Sequence, residues 1–263
     1  MTTPRIYLPV FVDKGDICRT TEDQARYLGA VLRMREGDGV TVFNGAGVEY
    51  ETVIRRFADK SVELEIVQRR DIPVAGHALT LCQAIPKAEK MDGIIRHATE
   101  LGANRIIPFL SARSIPRWKA LPGEKAGLHK LERWRKIAVE ACRQSGRSDV
   151  PEITDILSFT DMLAFFPKEG LKLIPWEEET SLSIRDVFRK ERSADSRSDA
   201  SLRHDTDFKT IALAIGPEGG FSVDEIQQAR RHGFLSVSLG RRVLRVETAS
   251  LAALAVVQYE LIN

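Results

Sequence analysis

Hydrophobic and polar positions alternate in four short stretches of the first seventy residues, at 5–8, 40–43, 48–53 and 62–66. A period of two predicts half-buried strands. Between the first two, residues 22–34 place Ala25, Leu28, Val31 and Leu32 on one helical face. Gly37-Asp38-Gly39 and Asn44-Gly45-Ala46-Gly47 supply turns. Together these elements predict a small β-barrel with one helix. The stretch Arg69-Arg70-Asp71-Ile72-Pro73-Val74-Ala75-Gly76 breaks the alternation with charges, a proline and a glycine, the composition of a short interdomain connection. A boundary near residue 73 is expected, giving domains at 1–73 and 74–263.

Beyond that boundary the period changes. Residues 79–85 form an apolar run, and Met91, Ile94, Ile95, Ala98 and Leu101 fall at helical spacing before Gly102. Residues 105–110 are again strand-like, and Leu128, Leu131, Trp134, Ile137 and Ala141 make another helical face. Residues 171–174 and 210–215 read as buried strands. Ser222 and Glu225 form a capping box for a helix that Gly233 closes, 235–239 is a strand, and 248–261 is a last, alanine-rich helix. This βαβα order predicts an α/β domain with a mainly parallel sheet covered on both faces. The Ser-, Asp- and Arg-rich stretch 189–207 reads as a solvated, mobile insertion.

Composition narrows the class. With 43% hydrophobic and 29% charged residues, the 263-residue chain can bury a substantial core, which excludes a largely disordered polymer. No apolar run approaches the roughly 18–20 residues that span a bilayer. The N-terminus lacks a basic region followed by an apolar one, so a cytoplasmic protein is expected. Cys18, Cys82 and Cys142 show neither disulfide nor metal-ligand spacing, and with His77, His97, His129, His204 and His232 scattered, no metal is expected. The net charge of +2 hides an uneven distribution: residues 113–147 hold ten Lys or Arg against Glu124, Glu132 and Glu140. That excess points to a polyanionic partner.

Two glycine-containing loops follow the last two predicted strands: Ile215-Gly216-Pro217-Glu218-Gly219-Gly220-Phe221, and residues 239–248, Leu-Gly-Arg-Arg-Val-Leu-Arg-Val-Glu-Thr. Ligands of open α/β sheets bind at the carboxyl ends of strands, so both loops fit one site. Neither carries the P-loop or the dinucleotide fingerprint. Their glycines are suited to letting backbone approach a ligand closely.

Those loops resemble the S-adenosylmethionine-binding end of the SPOUT class of knotted methyltransferases. Ala84-Ile85-Pro86-Lys87, Lys90-Met91-Asp92, Ala98-Thr99-Glu100-Leu101-Gly102, Ser111-Ala112-Arg113-Ser114, and the run from Arg133 to Ala138 with Glu140 to Arg147 narrow the resemblance to the ribosomal small subunit methyltransferase E family. Pro4-Arg5-Ile6-Tyr7 and Tyr27-Leu28-x-x-Val31-Leu32-Arg33 fit it as well. The likeness runs nearly end to end and is weakest across 151–209. It implies an N-terminal PUA-like barrel that binds RNA, a SPOUT-type domain with a trefoil knot, and a homodimer. It also implies methylation of N3 of a uridine, the position called uracil-1498, in the 16S rRNA of the small ribosomal subunit.

On that resemblance the cofactor S-adenosyl-L-methionine is expected at Ile174, Pro175 and Trp176; at Ile215, Gly216, Pro217, Glu218, Gly219 and Gly220; and at Leu239, Gly240, Arg242, Val243, Leu244 and Thr248. Trp176 either packs in the core or borders the adenine. The sulfonium methyl is already activated, so orientation is the main requirement. Uracil N3 must lose its imide proton, which calls for a base and an oxyanion stabiliser. Arg245 is the first candidate stabiliser and Arg113 the second. Glu247 or Glu218 is placed to receive the proton or to orient an arginine, although either also suits a helix N-terminus. Arg5, Arg33, Arg117, Arg133, Lys136, Arg143, Gln144 and Arg147 are the expected RNA contacts. A ribose 2′-O-methyltransferase and a non-catalytic RNA-binding assembly factor are the competing readings.

Overall fold

The computed structural model describes residues 3–9, 17–73, 76–114, 125–167, 169–195 and 210–262. Two compact units emerge: residues 1–74 with 139–150, and residues 75–138 with 151–263.

In the first unit, strands β1 (Arg5–Tyr7), β2 (Ile17–Arg19), β3 (Gly39–Phe43), β4 (Val48–Phe57) and β5 (Val62–Asp71) form a five-stranded sheet in the order β1-β3-β4-β5-β2. β1 runs parallel to β3, and the other pairs are antiparallel. Alternation puts Ile6, Val40, Val42, Ile54, Val62 and Leu64 inside, with Leu28 packed among them. Each such side chain stabilises the unit by about 1.5–3 kcal/mol on leaving water.

Helix α1 (Glu22–Arg26) opens on a capping box between Thr21 and Gln24. The helix expected through residue 34 instead loosens into a π turn, Tyr27–Val31, closed by the Leu32 N–H on the Tyr27 carbonyl at 2.9 Å. The wider turn shifts the register of the apolar face. Leu28 is therefore buried, whereas Val31 is 64% exposed.

The second unit is a parallel sheet of β6 (Ala78–Ala84), β7 (Arg105–Leu110), β8 (Glu152–Ile153), β9 (Leu157–Ser158), β10 (Leu171–Pro175), β11 (Thr210–Ile215) and β12 (Leu235–Val237). The order is β12-β10-β11-β6-β7-β8, with β9 also on β7, and every pairing is parallel. Near-continuous apolar strands such as β11, buried at five of six positions, suit a sheet covered on both faces. The chain also forms α2 (Lys90–Glu100), α3 (Lys125–Ser145), α4 (Phe159–Ala164), α5 (Ile184–Asp195), α6 (Val223–Arg231) and α7 (Val246–Ile262). The last turns of α3, from residue 139, group with the first unit.

Three expectations need correction. Residues 189–195 are not a loose insertion but the continuation of α5, whose Ile184, Val187 and Phe188 are buried at helical spacing; residues 196–207 lie outside the described residues. β12 stops at Val237 because the Ser238 N–H turns to the Leu182 carbonyl at 2.7 Å. α7 begins at Val246, which places Glu247 in its first turn. On α3, Leu131, Trp134 and Ala141 are buried while Leu128 stays half exposed.

The core beneath the site joins Ile107, Phe109, Ile174, Ala214, Phe221 and Phe234. Phe221 stacks on Phe109 with ring centroids 6.3 Å apart, anchoring the glycine loop after β11. All three cysteines are free and buried. Burial pushes the Cys18 and Cys142 thiols up to about 11, so neither is poised as a nucleophile. Among the described residues no helix is long and apolar enough to cross a membrane, and no metal-holding cluster of His, Cys, Asp or Glu occurs.

Candidate functional site

The carboxyl ends of β10 and β11 open into a cavity of about 470 Å³. Its walls are Pro175 at the end of β10 and Glu177 after it, Ile215 at the end of β11 and residues 216–221 after it, residues 243–246 and Ala249 at the start of α7, and Lys90 at the start of α2. Small-molecule sites usually fall between roughly 300 and 1,000 Å³ and combine apolar walls with a few polar groups. Pro175, Ile215, Val243 and Leu244 provide the first, while Lys90, Glu177, Glu218 and Arg245 provide the second.

The glycine loop is shaped by what stands against it. A Cβ on Gly216 would lie 3.2 Å from the Phe221 ring, and one on Gly220, whose φ is +66°, would lie 2.6 Å from Glu177 Oε1. Only a bare backbone lets the loop fold over Phe221 while Glu177 approaches it. On the loop's other side, Arg113 Nη1 donates to the Gly219 carbonyl at 2.7 Å. Glu225 caps α6 through the Ser222 N–H and also accepts from the Ala112 N–H at 2.8 Å, tying the loop after β7 to the same helix.

Charge is concentrated on one lysine. Lys90 Nζ lies 2.9 Å from Glu218 Oε1 and 3.5 Å from Glu247 Oε2. Glu218 also accepts from the Lys87 N–H at 3.1 and 3.2 Å. Burial works to raise the Glu218 carboxyl, but Lys90 and the backbone N–H donors outweigh it and hold the group below the usual range. Glu218 correspondingly raises Lys90. Glu247 is held more loosely: its Oε2 is buried, and Lys90 pairs with it only at 3.5 Å, the outer limit of a hydrogen bond.

Of the residues expected at the cofactor, the structure gathers Pro175, Ile215, Gly216, Pro217, Glu218, Gly219, Gly220, Val243 and Leu244 on the cavity, with Arg245 beside them. Ile174, Trp176, Leu239, Gly240, Arg242 and Thr248 do not line it. Ile174 is fully buried in the core. Trp176 is partly buried against that core, with the Arg230 guanidinium 5.7 Å from its ring centroid. Lys90 and Ala249 carry no assigned role in the sequence analysis, yet both line the cavity. The signal available for Lys90 was its place after β6, a third strand whose carboxyl end reaches the site.

The expected RNA contacts divide by environment. Arg33, Arg133, Lys136 and Gln144 are exposed, although Arg133 pairs with Asp92. Arg5 is held by Glu49 at 2.7 Å, by the Arg147 carbonyl and by Ser148. Arg147 pairs with Asp149, and Arg143 pairs with Glu140 and Tyr27. These three arginines therefore brace the first unit internally. Arg117 lies outside the described residues.

Comparison with known proteins places these features in context. The family described as RNA methyltransferase domain matches residues 75–258, and that described as RNA methyltransferase PUA domain matches residues 20–67. The ribosomal RNA small subunit methyltransferase E of Bacillus subtilis (strain 168) is 30% identical over 253 residues, covering 95% of this chain and 92% of that protein. The crystal structure of a ribosomal RNA small subunit methyltransferase E from Neisseria gonorrhoeae bound to S-adenosyl methionine superposes with a TM-score of 0.81 at 32% identity, covering 98% of both chains. A putative methyltransferase from Legionella pneumophila, in complex with the same cofactor, gives a TM-score of 0.81 at 33% identity, again over 98% of both chains.

Proposed function

Because the chain belongs to the ribosomal RNA small subunit methyltransferase E family, we propose that it methylates N3 of a uridine, the position called 1498, in the 16S rRNA of the small ribosomal subunit. The observation that carries this reading is the cavity at the carboxyl ends of β10 and β11, built from the two loops that the sequence marks, in a chain alignable end to end with cofactor-bound relatives. The residues present fit S-adenosylmethionine, since the bare backbone of Gly216 and Gly220 is the kind of cradle that a Cβ would fill. Pro175, Ile215, Gly216, Gly219, Gly220 and Leu244 would hold it.

When bound, the cofactor supplies a methyl group already activated toward nucleophiles. The chain's own task is then to orient the uracil and to manage one proton. Arg245, on the cavity wall just before α7, offers a permanent positive charge and forked donors to the carbonyl oxygens that gain charge as N3 ionises. Of the two acids, Glu218 is already committed to Lys90 and to the Lys87 N–H. Glu247 pairs with Lys90 only at 3.5 Å and through Oε2 alone, and its other carboxylate oxygen is assigned the N3 proton. Arg113 acts on the glycine loop through the Gly219 carbonyl, so it is assigned as a positioning residue.

The reading includes a trefoil knot in the C-terminal segments, a cytoplasmic location and a homodimer. The outward face of α7 supports the dimer: Leu251, Val256 and Tyr259 are 39%, 40% and 66% exposed on a helix apolar nearly all round. Light scattering at twice the 29.5 kDa chain mass tests that element.

N3 lies on the Watson–Crick edge, so its methylation blocks base pairing. Reverse transcription across the target should stop in 16S rRNA from cells carrying the chain and read through in RNA from cells lacking it. Read-through in both overturns the proposal.

A further inference from the structure

The first unit holds a second cavity, of about 250 Å³, unrelated to the cofactor loops. Its walls include Ile6, Tyr7, Asp23, Tyr27, Glu140 and Arg143. Two aromatic rings there are held in place before any ligand arrives. Arg143 stands 5.1 Å from the Tyr27 ring centroid and donates from Nη1 to the Tyr27 hydroxyl at 2.6 Å. Tyr7 packs on Phe43 with centroids 5.4 Å apart.

The charges of this cavity exclude a phosphate. Arg143 also gives Nε, at 2.8 Å, and Nη2 to Glu140, which neutralises its charge. Asp23 then adds a second, exposed carboxylate, so the wall carries two negative charges against one positive. A ligand suited to it has flat apolar faces for the tyrosines and an edge rich in donors for the carboxylate. An unstacked nucleobase has that form, because single-stranded RNA is read by aromatic stacking and by hydrogen bonds to Watson–Crick edges. Guanine alone presents two adjacent donors, N1–H and the amino group, which one carboxylate can accept together. Uracil presents a single N–H between two carbonyls that a carboxylate repels.

We propose that this cavity is a subsite for an unpaired guanine of the RNA substrate, stacked on Tyr27 and read by Asp23. The inference rests on the reading of the chain as an enzyme acting on RNA, and it converts Arg143 from a phosphate contact into the brace of a base-binding wall.

The sign of one substitution decides it. Asp23→Asn removes a negative charge from an exposed position, so electrostatics alone raises affinity for a polyanion. A carboxylate that reads a base gives the opposite result, a loss of about tenfold. Affinity for small ribosomal subunits from cells lacking the protein should therefore fall for Asp23→Asn, while the neighbouring Glu22→Gln, outside the cavity, leaves it equal or slightly tighter. Tyr27→Ala should lose about tenfold through stacking, with the slope of log affinity against log salt unchanged because no phosphate contact is removed. Equal or tighter binding by Asp23→Asn overturns the proposal, as does a shallower salt slope for Tyr27→Ala.

A second measurement separates this inference from the functional reading, since it uses no ribosomal subunit. Guanosine at millimolar concentration should shift the NMR signals of Tyr27 and Asp23 in the full chain, with uridine inert. No response, or an equal response to both nucleosides, overturns the subsite even where methyl transfer proceeds. Absence of methyl transfer overturns the functional reading even where guanosine binds.

Discussion

Lys90 Nζ sits 2.9 Å from Glu218 Oε1, joining the first turn of α2 to the glycine loop after β11, two segments 128 residues apart in the chain. Its second carboxylate, Glu247 at 3.5 Å, brings in the start of α7. One ammonium thus connects three elements around the cofactor cavity. It also offsets part of the negative charge that Glu177 and Glu218 bring to the cavity wall.

Replacing Lys90 with methionine keeps the aliphatic stem and removes the charge. With both ends of the pair partly in water, its contribution is modest. Cofactor affinity measured by calorimetry should fall about three- to tenfold, as expected for a charge-assisted bond screened by solvent. Unchanged affinity would show that Glu218 holds the loop through the Lys87 N–H alone.

Arg245→Ala separates binding from chemistry. Loss of a group that stabilises charge developing on the uracil should lower kcat by about 10²–10³, with the cofactor dissociation constant changed by about threefold at most. Arg245→Lys should recover part of the rate, because the charge returns without the forked geometry. Equal losses in cofactor affinity and in kcat for the alanine variant would instead mean that Arg245 serves the cofactor.

Glycine substitutions should behave oppositely at two positions. Gly220→Ala must keep φ at +66° with its Cβ 2.6 Å from Glu177 Oε1, and backbone strain alone costs about 1–3 kcal/mol. Both stability and cofactor affinity should drop. Gly93, inside α2, has nothing within 4 Å of an added Cβ, so Gly93→Ala should raise stability by about 0.5–1 kcal/mol. Thermal unfolding of the two variants checks both.

The first unit carries a pH dependence of its own. Arg56 and then Arg19 bind the Glu63 carboxylate and, against burial, pull it down to about 2. Unfolded, the group titrates near about 4.3. A carboxylate depressed in the folded state stabilises it fully above that unfolded value, and the contribution is lost as pH falls toward the folded one. Denaturation curves should weaken between about pH 5 and pH 2, and Glu63→Gln should flatten that slope. An identical slope in the variant would place the acid sensitivity elsewhere.

Much of this architecture was legible because burial writes itself into periodicity. The apolar runs of β6 and β11 and the stripe Met91, Ile94, Ile95 and Ala98 on α2 need no partner to be recognised. The capping box at Ser222 and Glu225 was visible for the same local reason, although the second role of Glu225, on the Ala112 N–H, was not. What stayed hidden depends on contacts distant in the chain. The π turn after α1 swaps an ordinary helical register for one that exposes Val31, a choice made by packing. The helical start of the 189–207 stretch was masked by its polar composition, since among the described side chains of α5 the buried ones are Ile184, Val187 and Phe188, in its first turns. The contact of Trp176 with Arg230, 54 residues away on α6, has no local signal either. Lys90 gains meaning only when β6 and β11 pair and bring their carboxyl ends together.

Transfer of labelled methyl from S-adenosylmethionine by the purified chain to small ribosomal subunits from cells lacking it, followed by nucleoside analysis, tests the central claim most directly. The account predicts label in 3-methyluridine at a single site. Label recovered as a 2′-O-methylnucleoside, or no transfer by a chain that binds the cofactor, would contradict it.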